Sequence, residues 1–196
     1  MSAQLMCLRH AEQESPTWDL PSGRPGTPPD PPLTERGCQQ AEAVAQALRE
    51  TRPCKVFSSD AARARQTGRI IGSHLAVDVE VVPDLAEVSM GLGPWERGQR
   101  ADVIERWIVC GNLNARLPGG ETGQQVKVRM ERALNDIASR CQDAPGIVVG
   151  HVASLTVGVG SLCCNGPALW GRPLLHATPF ELTLSGEGWH VEWPVP

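Results

Sequence analysis

Residues 4–10 read Gln4-Leu5-Met6-Cys7-Leu8-Arg9-His10, a mostly apolar run that stops at a cation and an imidazole. Such a run, lacking the polar alternation of a half-exposed strand, is the pattern of a strand buried on both faces. A second run of this kind, Ile147-Val148-Val149, likewise ends at a histidine, in Gly150-His151. Residues 55–58 and the β-branched stretch 77–82 supply two further predicted strands.

Helices are predicted between these strands. Thr34 is placed to cap a helix over 35–50, along which Ala41, Val44, Ala45 and Leu48 recur at the spacing of one buried face. Asp60 stands where an N-cap belongs for a helix running to about residue 75, anchored by Ile70 and Ile71. The segment 87–98, with three glycines and a proline, is a predicted loop, and 100–109 a predicted helix. After the turn Pro118-Gly119-Gly120, Thr122 and Gln125 have the spacing of a capping box. The helix they open runs to about residue 140, with Val126, Met130, Ala133 and Ile137 on one face. Residues 152–162 fit helix or strand by composition, and the strand–helix alternation favours helix. Residues 180–185 and 190–193, joined by the turn at 186–188, are two closing strands. This alternation implies an α/β fold, a three-layer α/β/α sandwich around a mainly parallel sheet. Ligands bind such sheets beyond the C-terminal ends of the strands, where Arg9, His10 and His151 fall.

The length of 196 residues and an apolar content of 41% are compatible with a single domain over 1–196. Seven prolines between residues 14 and 32 exclude helix and inner strand there. Too little chain precedes this stretch to form a domain, so it is expected to be a long surface loop rather than a linker. A net charge of −4 with scattered basic residues argues against nucleic acid or an anionic membrane as partner. No apolar run approaches the roughly 18–20 residues of a membrane span, and the first nine residues lack a signal-peptide pattern, so a cytoplasmic location is expected. Seven cysteines, an odd number without C-x-x-C spacing, suggest reduced thiols, mostly buried as small apolar side chains. The five histidines show no zinc-binding spacing, and neither a metal nor another cofactor is expected.

Six segments, taken in order, carry a family resemblance. They are Leu8-Arg9-His10-Ala11-Glu12; Pro32-Leu33-Thr34-Glu35-Arg36-Gly37 with Gln40-Ala41; the run from Ser58 to Thr67; Leu85-Ala86-Glu87 with Trp95-Glu96; Pro118-Gly119-Gly120-Glu121; and Val148-Val149-Gly150-His151. Together they resemble the signatures of the histidine phosphatase superfamily, the phosphoglycerate mutase-like proteins. The resemblance implies a small phosphorylated metabolite as substrate and a phosphohistidine formed on His10. It implies that Arg9 and Arg63 hold the phosphoryl group, that His151 contacts its oxygens, and that Glu87 donates a proton to the leaving group, with Glu12 and Glu96 as rivals.

The chemistry suits these residue types. Phosphoryl transfer spreads charge over the equatorial oxygens, and an arginine fork meets that charge with two parallel hydrogen bonds. A neutral imidazole is a nucleophile that splits one displacement into two, and adjacent cations favour its neutral form. A protonated His151 would add positive charge to the transition state. An alkoxide leaving group needs a proton as it departs.

The chain departs from the family pattern at several rim positions. Ala11 stands for a glycine, Pro16 for an asparagine, Val152-Ala153 for a glycine-rich turn, and His176 near where relatives carry asparagine. His176 is thus either a third pocket histidine or a loop residue. Trp18, Trp95 and Trp107 could line a pocket or serve the core. The mutases carry a longer basic insert where residues 97–117 lie here, which favours a phosphatase. A phosphoglycerate mutase-type phosphotransferase and a non-hydrolytic phosphometabolite-binding or regulatory protein are the alternatives, and oligomeric state is not legible.

Overall fold

The computed structural model describes residues 2–15, 30–91, 97–108, 110–166 and 174–193. Among them six strands form one sheet: β1 (Ala3–Arg9), β2 (Lys55–Ser58), β3 (Val79–Val81), β4 (Gly146–Gly150), β5 (Phe180–Ser185) and β6 (Gly188–Glu192). Their order is β3-β2-β4-β1-β5-β6. The first four in that order run parallel, and β5 and β6 continue the sheet antiparallel. The expected mainly parallel α/β sheet is therefore present.

Alternation along the central strands sorts side chains onto two faces. Leu5 and Cys7 of β1, Phe57 of β2 and Val148 of β4 share one core. It also holds Val126, Met130, Leu134 and Ile137 of α4 (Gly123–Arg140), Leu155 and Val159 of α5 (Val152–Leu162), and Trp107 of α3 (Arg97–Ile108). Leu8, Val56, Ile147 and Val149 face the other way, against Val44 and Ala45 of α1 (Glu35–Ala47) and Ala64 and Ile71 of α2 (Ala62–Leu75). Neighbouring residues thus serve opposite cores, which is why these strands carry no polar face.

Two predicted caps are in place. Thr34 Oγ1 accepts from Gly37 N–H at 2.9 Å. Thr122 and Gln125 complete the capping box, with reciprocal bonds of 3.1 and 2.9 Å. Asp60 does not cap α2. The N-cap is Ala61, without a side-chain cap of its own, and the Ala62 N–H donates instead to both carboxylate oxygens of Asp30, at 2.9 and 2.8 Å. A long-range carboxylate has replaced the local one.

β3 begins later than predicted because Ala76 ends α2 in the left-handed conformation, and the Val77 N–H is spent on Gly72 O. α3 begins earlier, taking Arg97 and Gly98 from the predicted loop. β6 starts at Gly188, two residues earlier than expected. Of the Pro-rich stretch, residues 16–29 lie outside the described residues. Its flanks are pinned by a Gln13–Leu33 bridge and by Glu14 N–H donating to Pro32 O at 2.9 Å. The cysteines are less buried than expected: Cys7, Cys141 and Cys163 are buried, Cys38 is half-buried, and Cys54, Cys110 and Cys164 are exposed. Cys54 precedes a strand and Cys164 follows a helix, where the chain surfaces. Among the described residues no helix is long and apolar enough to cross a membrane.

One glycine ties a helix start to the end of β1. A Cβ on Gly37 would overlap the carbonyl oxygen of Glu12, two residues past His10. The Thr34 N–H donates to that same carbonyl at 3.0 Å, so α1 begins in contact with this backbone. Gly37→Ala must displace one of the two segments. The expected result is a loss of about 1–3 kcal/mol in the urea-unfolding free energy, as for other overpacked sites.

Candidate active site

Parallel pairing of β1 with β4 sets Arg9 opposite Gly150, and the His10 N–H donates to Gly150 O at 2.9 Å. His10 and His151 therefore leave adjacent strand ends side by side. Their ring centroids are 5.2 Å apart with planes inclined by 62°. Both residues are buried.

Arg63, in the first turn of α2, bridges the pair. Its Nε donates to His10 Nε2 and its Nη2 to His151 Nδ1, each at 3.2 Å, while Nη1 reaches Asp30 Oδ1 at 3.3 Å. A guanidinium only donates, so both imidazole nitrogens facing it are acceptors. The protons then lie on the opposite sides. His10 Nδ1–H donates to Ala11 O and His151 Nε2–H to Ser59 Oγ, both at 2.8 Å.

Electrostatics agree with two neutral rings. Burial, opposed by the Ala11 carbonyl and reinforced by Arg63, Arg9 and His176, pushes the His10 pKa down to about 3. Burial, with Arg63, His10, Arg129 and Arg9, pushes that of His151 down to about 2. The adjacent cations do favour neutral His10, as expected, but burial does more. The protonated His151 considered from sequence is not the form held here, because burial and nearby arginines disfavour its charge.

Arg9 donates from Nη1 to Leu174 O at 3.2 Å, and its Nε is buried without a protein partner. Its pKa is lowered by burial, against the Glu87 carboxylate and with the help of Arg63. His176 stands beside the histidine pair: its ring lies 5.4 Å from that of His10, and Arg9 pairs with it across a short bridge. Its Nε2 is buried without a partner, and burial followed by Arg9, against Glu12, lowers its pKa. Arg9 and His176 thus leave polar nitrogens unsatisfied beside His10, an arrangement costing about 1–3 kcal/mol per group unless a ligand meets them.

Glu87 sits over the start of α5, which follows His151 and has no cap of its own. Its Oε1 accepts from Val88 and Ser154 N–H, both at 2.9 Å, and its Oε2 from Ala153 N–H at 3.3 Å. The segment carrying it is clamped by Arg129. Arg129 Nη1 donates to Asp84 O at 2.7 Å and Ala86 O at 2.8 Å. Nε and Nη2 meet Glu121 Oε1 and Oε2 at 2.7 and 3.1 Å, and Glu121 also accepts from Ser89 N–H at 2.9 Å. The rival Glu12 is turned toward α1, bonded to Thr34 Oγ1 at 3.0 Å and near Arg36 at 3.7 Å. Trp107 is a core residue, fully buried, with Nε1–H on Ala115 O at 2.6 Å. Pro16, Trp18, Trp95 and Glu96 lie outside the described residues.

Four supporting residues were not singled out from sequence. Ser59 and Thr67 lie inside the quoted run 58–67. Ser59 orients His151, while Thr67 Oγ1 accepts from Ala11 N–H at 3.0 Å and donates to Arg63 O at 2.8 Å. Asp30 and Arg129 act across 33 and 43–45 residues of chain, and no local spacing marks them. Among the described residues no group of three or more His, Cys, Asp or Glu side chains is arranged to hold a metal ion.

At the C-terminal ends of β1 and β4, two neutral histidines thus share one arginine. The family profile of the histidine phosphatase superfamily (branch 1) matches residues 5–194, and the chain belongs to that superfamily. The probable phosphoglycerate mutase GpmB of Enterobacter sp. (strain 638) is 32% identical over 156 residues, 78% of this chain and 71% of that protein. The protein of the same name in Shigella boydii serotype 18 is 28% identical over 203 residues, 96% of this chain and 91% of that one. Among solved structures, the mycobacterial glucosyl-3-phosphoglycerate phosphatase superposes with a TM-score of 0.74 at 23% identity, covering 97% of this chain and 98% of that one. A putative α-ribazole-5′-P phosphatase from Escherichia coli gives 0.72 at 22%, covering 97% and 94%. These two share the fold.

The depressed histidine pKa values predict a pH dependence. Below the unfolded-state value of about 6.5 the unfolded chain binds protons that folded His10 and His151 refuse. Their contribution to stability is full above about pH 6.5 and falls as pH drops toward about 3. Urea midpoints should decline between pH 6.5 and 4, and the slope should flatten in a His10→Asn, His151→Asn double variant.

Proposed function

We propose that the protein is a phosphomonoester hydrolase acting on a small phosphorylated metabolite through a phosphohistidine on His10. The observation that carries this reading is the neutral His10 ring, its Nε2 lone pair directed at Arg63 and its Nδ1–H committed to Ala11. Nε2 attacks phosphorus, the ester P–O bond breaks, and the leaving oxygen takes a proton from Glu87. Water then attacks phosphorus, Glu87 recovers a proton from it, and the P–N bond breaks to release phosphate. Arg63 is assigned to the phosphoryl oxygens, its Nε–H shifting from His10 to the incoming anion. Arg9, with an unfilled donor, and His151 hold the remaining oxygens. In Glu87, Oε2 has the longest of the three backbone contacts and is the oxygen assigned the mobile proton. No metal or other cofactor has a place in this scheme, and the whole chain, 1–196, is read as one catalytic domain. A cytoplasmic location accompanies the reading.

The curated relatives named probable phosphoglycerate mutase favour a second reading, transfer of phosphate to another hydroxyl. The brevity of 97–117, occupied by α3 and the turn after it, supports hydrolysis instead. A burst of first product with transfer to an added acceptor, rather than to water, would decide for the mutase.

Two experiments test the proposal. Purified protein is assayed on p-nitrophenyl phosphate and a panel of sugar phosphates, with His10→Ala as control. The variant should lose at least about 10³-fold in kcat/KM and should no longer trap acid-labile phosphate. Release no faster than the control would favour a binding or regulatory protein. In the second, Glu87→Gln should slow hydrolysis of alkyl phosphates about 10²–10⁴-fold but p-nitrophenyl phosphate far less, since nitrophenolate leaves without a proton. Equal losses on both would reduce Glu87 to a cap for α5.

A further inference from the structure

Two cysteines meet at the edge of the sheet opposite the histidine pair. Cys54 directly precedes β2, and Cys141 ends α4 just before β4, so both stand at the N-terminal ends of the parallel strands. Their Sγ atoms are 3.0 Å apart, although 87 residues separate them in sequence. A disulfide bond is about 2.0 Å long, so closure requires a movement of about 1 Å.

The backbone around the pair is already anchored. The Cys54 N–H donates to Pro145 O at 2.9 Å and the Cys141 N–H to Ala138 O at 3.2 Å. A Cβ at Gly146 would come within 2.8 Å of Cys141 Sγ, so the sulfur is confined against the β4 entry strand and toward Cys54. The two thiols differ in access. Cys54 is exposed and meets solutes first, whereas Cys141 is 2% exposed. Lys55 and Arg140 flank the pair, and both are engaged by Glu80.

We propose that Cys54 and Cys141 form a reversible disulfide, a redox staple between β2 and α4, with a low-molecular-weight disulfide such as oxidised glutathione as oxidant. The Cys54 thiolate attacks one glutathione sulfur, forming a mixed disulfide and releasing one glutathione. Cys141 then gives up its proton and attacks Cys54 Sγ, and the second glutathione leaves. Two protein thiols are oxidised by two electrons, and one glutathione disulfide is reduced to two glutathiones. The order follows access and acidity: burial first, then the contact with Cys54, against Arg140 and Lys55, pushes the Cys141 thiol up to about 12. Buried Cys141 resolves the mixed disulfide rather than starting the exchange. The cross-link closes a loop holding β2, α2, β3, α3 and α4, and so constrains the unfolded chain more than the folded one.

The test equilibrates the folded wild type in glutathione buffers from fully reduced to fully oxidised, followed by alkylation and peptide mass mapping. The expected product is a Cys54–Cys141 cross-linked peptide 2 Da lighter than the sum of its thiol forms. Its appearance should be accompanied by a rise in Tm of about 5–10 °C. Cys54→Ser and Cys141→Ala should each lack both the cross-link and the rise while matching the Tm of reduced wild type within a few degrees. Full alkylation of both thiols in the most oxidising buffer, a cross-link to another cysteine, or an unchanged or lower Tm on cross-linking would each overturn the proposal. If Cys141→Ala loosens the core, exposed Cys54→Ser still gives the decisive comparison.

Discussion

Parallel pairing of β1 with β4 sets the geometry on which the pocket depends. Each strand ends one residue before a histidine, and the Arg9–Gly150 register makes those histidines neighbours. A slip of one residue would move one ring by about 3.3 Å and turn its strand's side chains to the other face. The register is held by the cores and not by the histidines. Leu5 and Cys7 belong to the α4–α5 side and Leu8 to the α1–α2 side, with Val148 and Ile147 sorted likewise. The distance between the two imidazoles is thus set by apolar packing of residues two to five positions before each of them.

The charges around the pair are divided in a way that suits an incoming anion. The N-terminus of α5 begins at His151 and could meet a phosphate with its free N–H groups. Glu87 takes those of Ala153 and Ser154 instead. The helix end therefore serves to position a carboxylate. The histidines stay neutral because they are buried beside Arg63 and Arg9, so the positive charge here resides on guanidiniums. Permanent cations thus flank two uncharged imidazoles, an arrangement that suits the phosphoryl transfer proposed above.

Most of the fold was legible because its signals are local. Buried strands, the i, i+3, i+4 face of α1 and the Thr122–Gln125 box each lie within one element, and the structure has them where the spacing put them. The α2 cap failed for the opposite reason. Asp60 has the right type and place, but Asp30 reaches the same N–H from across the surface. The site divides along the same line. Arg9, His10, Arg63, His151 and Glu87 stand in short motifs, and the structure places all five near the C-terminal ends of β1 and β4. Arg129 and Asp30 act on those residues through contacts whose sequence separation obeys no period. His176 lies between the cases: its position was noticed, but only the Arg9 bridge brings its ring to His10.

Asp30 also connects the pocket to the proline-rich stretch. Its carboxylate has two tasks, the cap on Ala62 and the contact with Arg63 Nη1. The Arg63 contact is an ion pair with Asp30 46% exposed, and such pairs are worth about 0–1 kcal/mol. The contact therefore adds little to the hold on half-buried Arg63. The cap on α2 is separate from that contact and holds Asp30 at Ala62 in its own right. Asp30 is therefore tethered to the helix that presents the arginine. Two residues after Asp30 the chain is pinned again, by the Glu14–Pro32 hydrogen bond and the Gln13–Leu33 bridge. Through Asp30 and Pro32 the residues that follow β1 are thus joined to the start of α2 independently of the apolar cores, so the arginine that bridges the two imidazoles is held from a second direction.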